Sequence, residues 1–227
     1  LTEVSVSAGA ALDSFGVTAD DWYRNTDWDE AVEAEFRKRL NRARSGRSQY
    51  LRIQASYLAA AQPRVALRLL DEYLVEGADF DLAQAHVDRA RAFVTLGDVE
   101  AGVSAYEAAL QQEQESPNLK TSASTDFACL VVNEHLASHY PRALEVLDER
   151  PEEPLFPVER YRRNGARAIL LSHLGRADEA ARAAAAAVDA SREGHSGLRY
   201  HPDLGLVGDT NNEFGRRVAA LARESPG

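Results

Sequence analysis

Apolar residues recur at helical spacing along nearly the whole chain, and strand signals are almost absent beyond the short alternation Val4-Ser5-Val6. Trp28, Val32, Phe36 and Leu40 step by four and mark the apolar face of a first helix over about residues 28–44. Thr26 can cap this helix, with Asp29 three residues on as a variant capping box. Glu30, Glu33 and Glu35 sit early and Arg39, Arg42 and Arg44 late, which suits the helix dipole, and Ser45-Gly46 ends it. From there the pattern predicts helices in pairs. Residues 49–60 are followed by a turn at Gln62-Pro63 and a second helix to about 75, ending at Gly77. Residues 82–96 and 99–114 flank Gly97-Asp98, 125–137 and 142–149 flank a turn at 139–141, and 158–174 and 177–192 flank Gly175-Arg176. A Gly-rich loop from Gly194 to Gly208 leads to a last helix over about 211–222, with Asp209 or Thr210 as its cap. Glu115-Ser116-Pro117-Asn118 and the run holding Pro151, Pro154 and Pro157 read as linkers between pairs.

Two of the pairs match at identical spacing. Arg89, Ala90, Phe93, Leu96, Gly97, Gly102, Tyr106, Ala109 and Leu110 in one correspond to Arg167, Ala168, Leu171, Leu174, Gly175, Ala180, Ala184, Ala187 and Val188 in the other. Ala66, Leu70, Tyr73 and Leu74, and Ala143 with Leu147, fill the second-helix places of the remaining two pairs. The small residues Ala66, Gly102, Ala143 and Ala180 lie 36, 41 and 37 residues apart (102 − 66, 143 − 102, 180 − 143). This pattern resembles the tetratricopeptide repeat, whose period is about 34 residues, over roughly residues 49–193. Ala61 and Ser138 depart from it where a turn glycine is usual, and Tyr73 departs where a small residue is usual. The resemblance implies an all-α superhelix, a solenoid of about four helical hairpins with a capping helix at each end, because one hairpin cannot bury its apolar face alone. Residues 1–46 would then be an N-terminal segment and cap, 47–193 the repeats, and 194–227 the loop and closing cap.

Composition narrows the function. A net charge of −10 opposes the phosphate-neutralising surface of a nucleic-acid binder, and the basic clusters, Arg37 to Arg39 with Arg42 and Arg44, and Arg162-Arg163, are short. No apolar run approaches the length of a membrane span. The single cysteine, Cys129, excludes an intramolecular disulfide and a multi-cysteine zinc site, and points to a reducing compartment. Residues 1–15 lack the charge and apolar core of a signal peptide, so a cytoplasmic location is expected, although the chain opens on Leu1 rather than Met. Arginine greatly outnumbers lysine and alanine is abundant, the bias of a GC-rich bacterial genome.

Signals for chemistry are sparse. His135 and His139 stand four apart and would share a helix face able to ligate a metal, but no third ligand is signposted. Gly194, Gly197, Gly205 and Gly208 lack the Lys-Ser/Thr and the preceding strand of a phosphate loop. Cys129 lies among Leu130, Val131 and Val132 and reads as core packing. No catalytic residue and no cofactor is therefore assigned. Trp22, Tyr23 and Arg24 lie in an aromatic-rich segment of the kind protein interfaces use, whose tryptophans can also fold back over the first repeat. In the family the first helix of each pair lines a concave face. Carried over, that face presents Leu51, Ala55, Leu58, Val87, Arg91, Val94, Thr95, Ala128, Val132, His135, Gly165, Ile169 and His173, a mostly apolar groove. The expectation is a scaffold that holds a protein or peptide there, including the variant of an acidic inhibitor or immunity-type partner of a basic protein. Three alternatives stand beside it. One is a hydrolase or other metal-dependent enzyme with its site between repeats. Another is a self-assembling protein that dimerises through the apolar face, and the last is a groove filled by the chain's own terminal segments.

Overall fold

The computed structural model describes residues 21–76, 81–150 and 152–223. These contain ten α-helices, one short 3₁₀ turn and no strand. The alternation at Val4–Val6, the stop at Gly77 and Pro151 lie outside the described residues. The chain divides into two compact units, Leu1–Ala123 and Ser124–Gly227.

In the first unit, α1 (Glu30–Leu40) is capped by Asp29, whose Oδ1 accepts the Val32 N–H at 2.8 Å. The helix therefore starts after Trp28 rather than at it. The Trp28 indole N–H donates instead to Glu33 at 3.1 Å, and its ring packs on Phe36. Gly46, at φ 70°, precedes α2 (Arg47–Leu58), and α3 (Pro63–Val75) carries its proline in the first turn, where no N–H is needed. α2 and α3 pack as a hairpin, α3 packs on α4 (Leu82–Thr95), and α4 packs on α5 (Val99–Glu115). Phe36, Leu40, Leu51, Ala55, Leu58, Leu69, Leu70 and Tyr73 form one core with Ala85 and Ala92. Each such large apolar side chain contributes about 1.5–3 kcal/mol on burial.

The turn between α4 and α5 follows from Gly97 at φ 79°. In this left-handed conformation the Asp98 N–H reaches the Phe93 carbonyl and the Gly97 N–H reaches that of Val94, closing the helix end. Asp98 then caps α5 through the Ala101 N–H. Beyond α5, the buried Glu113 accepts from both the backbone N–H and the hydroxyl of Thr121.

The second unit contains α6 (Ala123–Asn133, beginning at the boundary), α7 (Tyr140–Asp148), α8 (Pro157–His173), α9 (Ala177–Ser191) and α10 (Glu213–Arg223). α8 and α9 pack as a hairpin around Gly175 at φ 75°, with the same pair of closing bonds, Arg176 N–H to Leu171 and Gly175 N–H to Ser172. α7 packs on α8, and α10 packs on α8 and α9. The sequence places the α6–α7 turn at 139–141; the structure ends α6 at Asn133 and turns at His135, which adopts φ 54° and lets the Leu136 N–H reach the Val131 carbonyl. The 3₁₀ turn Ala137–His139 follows before α7. From turn residue to small residue the distance is five in the matched pairs (102 − 97, 180 − 175) and eight here (143 − 135), so the 3₁₀ turn is the insertion.

Ala66, Gly102, Ala143 and Ala180 are all buried. The cap of α10 is Asn212, whose Oδ1 accepts the Gly215 N–H at 2.9 Å, in place of Asp209 or Thr210. No helix among the described residues is long and apolar enough to cross a membrane.

Candidate partner-binding surface

The sequence-derived groove separates into two classes of residue. Leu51, Ala55, Leu58, Val87, Ala128, Val132 and Ile169 are buried, none more than 2% exposed. They are core, and offer no surface to a partner in this conformation. In the first unit, Phe36 and Leu40 of α1 share one core with Leu51, Ala55 and Leu58. In the second, a Cβ on Gly165 would lie 2.6 Å from the Phe214 ring and 3.0 Å from Val218, so α10 lies directly over that position. Solvent reaches the remainder: Arg91 and Val94 in part, Thr95, His135 and His173 more fully.

The segment ahead of α1 is also fastened down. Trp22 packs on Phe36 and Tyr50, and Tyr23 on Tyr50. Asn25 clamps the fully buried Gln54: its N–H and Nδ2 both donate to Oε1, and Gln54 Nε2 donates back to its carbonyl at 2.7 Å. Trp22 and Tyr23 are half-buried, while Arg24 is exposed, over the Tyr23 ring and paired with Asp21 at 2.8 Å.

Two buried aspartates were not distinguishable from the other carboxylates in the sequence. Asp88 on α4 is 1% exposed; Gln84 Nε2 donates to it at 3.0 Å, and Arg52 and Arg91 approach at 3.4 and 3.8 Å. Arg52 also donates to Asp81 at 3.0 Å. Burial pushes the Asp88 carboxyl above its ordinary value, against the pull of Arg52 and Arg91. On the outer side, Arg91 remains 39% exposed and donates to the Ser122 hydroxyl at 3.1 Å, and the Thr95 hydroxyl donates to the Arg91 carbonyl.

In the second unit, Asp126 is 4% exposed and accepts from Arg162 at 2.7 Å. Asp88 and Asp126 each stand nine residues before a left-handed turn residue (97 − 88, 135 − 126). That shared register emerges only with the structure, because His135 is not a residue type that marks a turn. Cys129 is buried, its thiol pushed up by burial and set against the Arg162 carbonyl at 3.8 Å. The Tyr161 hydroxyl is buried without a hydrogen-bond partner, and its ring meets Phe214 edge-on.

The histidine pair does not share a helix face. His135 lies beyond the end of α6 and its Nε2 faces Glu213 at 3.3 Å, whereas His139 sits in the 3₁₀ turn against the Phe127 ring. Among the described residues no group of three or more His, Cys, Asp or Glu side chains converges as metal ligands. A hollow of about 280 Å³ on the α8–α9 hairpin is lined by Asn164, Arg167, Leu171, Glu179, Arg182 and Ala183, with Arg167 engaged by Asp148. This lining holds no nucleophile paired with a base.

Among the described residues the structure thus defines an all-α protein of sequentially packed helix pairs, with a part-exposed Arg91 held beside the buried Asp88 on α4. No family model, curated protein or solved structure matches the chain.

Proposed function

We propose that the chain is a tetratricopeptide-type scaffold that holds a protein partner through the solvent-facing ends of its first helices. The observation that carries this reading is the Arg91 site. Leaving a carboxylate at 1% exposure is costly unless it is paired, and Asp88 with Ser122 fixes a guanidinium that still faces solvent. A side chain ordered before a partner arrives loses less entropy on binding, which is how a protein contact is preorganised. Val94 and Thr95 lie beside it as a small mixed rim. The net charge of −10 favours the approach of a partner that is basic overall.

The test is affinity capture from the native cell with wild type, Arg91→Glu and the control Gln111→Glu on the exposed face of α5. The expected result is a discrete partner kept by wild type and Gln111→Glu and lost at least tenfold by Arg91→Glu, with helix content unchanged by circular dichroism. Equal capture by all three would remove Arg91 from the interface.

A further inference from the structure

α10 is held differently from every helix it touches. Among its eleven residues only Gly215 and Val218 are buried, against eight in α8 and five in α9. Its contacts nevertheless have the character of a recognition event. Phe214 enters the space left by Gly165, and Tyr161 sits over Gly215, where a Cβ would meet its hydroxyl at 3.0 Å and the Thr210 carbonyl at 1.9 Å. Arg217 donates to the Val132 carbonyl at 2.7 Å, near the C-terminal end of α6, and lies 3.5 Å from His173. Glu213 faces His135. Val132, His135, Gly165 and His173 all belong to the face that the repeat resemblance assigns to a ligand, and here they read one amphipathic helix.

Building on the scaffold reading, we infer that the surface under α10 is a helix-binding groove occupied by the chain's own last helix, and that its external ligand is an amphipathic helix of another protein carrying the same side chains. The pattern is an acid, an aromatic, a small residue, then Arg and an aliphatic, as in Glu213-Phe214-Gly215-x-Arg217-Val218. Helix-in-groove recognition uses a few anchors of this kind on one face. The arrangement also favours release of α10 by itself. The connector before it has its own hold, since the Val158 N–H donates to the Gly205 carbonyl, Gly205 lies under Phe156, and Ser196 is buried and donates to the His201 carbonyl. Residues 208–212 then run to α10 without helix, so detachment can proceed by rotation there. A tethered helix competes at an effective concentration on the order of millimolar, which sets the affinity a ligand must exceed.

The test uses the full chain and a fluorescein-labelled peptide with the sequence of residues 210–223, read by anisotropy. Wild type should bind it weakly. Gly215→Ala in the chain, whose new Cβ meets the Thr210 carbonyl, should bind at least tenfold more tightly, and its α10 amides should exchange faster. Adding Gly165→Leu should abolish binding with helix content preserved. Should Gly215→Ala disturb the unit as a whole, Phe214→Ala with Arg217→Ala releases α10 without touching the backbone and should give the same gain. Faster exchange in α10 without tighter peptide binding would overturn the inference, as would unchanged protection of α10 in both released variants. Because the peptide is supplied, failure of cellular capture at Arg91 and failure here are separate results.

Discussion

Burial of Asp88 has a consequence for stability against pH. Its folded carboxyl titrates above the ordinary 3.8, so the folded chain holds this proton where the unfolded chain has released it. The group's contribution is complete below pH 3.8 and is lost as pH rises through the raised folded value. Asp88→Asn does not titrate. The stability of wild type relative to Asp88→Asn, from urea midpoints at a series of pH values, should therefore fall as pH rises from about 4. A gap that widens with pH would mean that Arg52 and Arg91 outweigh desolvation. His135 supplies a second residue-scale prediction. A non-glycine side chain at φ 54° costs about 1 kcal/mol, while its contact with Glu213 joins two largely exposed groups and contributes less. His135→Gly should raise unfolding free energy by roughly 0.5–1 kcal/mol in denaturant titration; a loss of that size would assign the greater effect to Glu213. Cys129, buried with its thiol pushed up, should react with a disulfide reagent only under unfolding conditions, and rapid reaction of the native chain would contradict its placement. Its burial was legible from Leu130, Val131 and Val132. The burial of Asp88 and Asp126 was not, because Arg52 and Arg162, which donate to them, each stand 36 residues away on another helix.

At the scale of elements, the hairpin seams depend on small side chains. Ala180 is 1% exposed on α9, and Leu in its place should cost about 1–3 kcal/mol by overpacking, whereas Leu at the exposed Ala186 of the same helix should be nearly neutral. Thermal unfolding of the two variants measures the difference, and equal melting would place Ala180 outside any tight contact. The helices themselves were legible because their apolar spacing is dense, and their ends were legible where a glycine takes positive φ, at Gly97 and Gly175. Ends set by other means were not. His135 makes the same turn without the residue type that marks one, and the pattern accordingly points to 139–141 instead. Trp28 continues a step of four and so looks helical in the sequence, yet the Asp29 side chain caps the Val32 N–H and starts the helix after it. Asn212 takes the cap of α10 in the same way, ahead of two equally suitable neighbours.

For the molecule as a whole, the first helices carry an apolar stripe that became core, and a polar rim that did not. Periodicity identifies which positions face the same way, but cannot say whether another segment lies over them. Phe36 and Leu40 join Leu51, Ala55 and Leu58, and Phe214 and Val218 cover Gly165. On the proposed reading a partner meets Arg91 with Val94 and Thr95, which stay in reach of solvent, and an amphipathic helix takes the place of α10. Position-specific photo-crosslinking tests this most directly. A benzophenone side chain at Thr95, and separately at Gln111 on α5, would be activated in extract of the native cell. One discrete protein adduct is expected from Thr95 and none from Gln111; equal adducts from both, or an adduct from Gln111 alone, would remove the Thr95 rim from the interface.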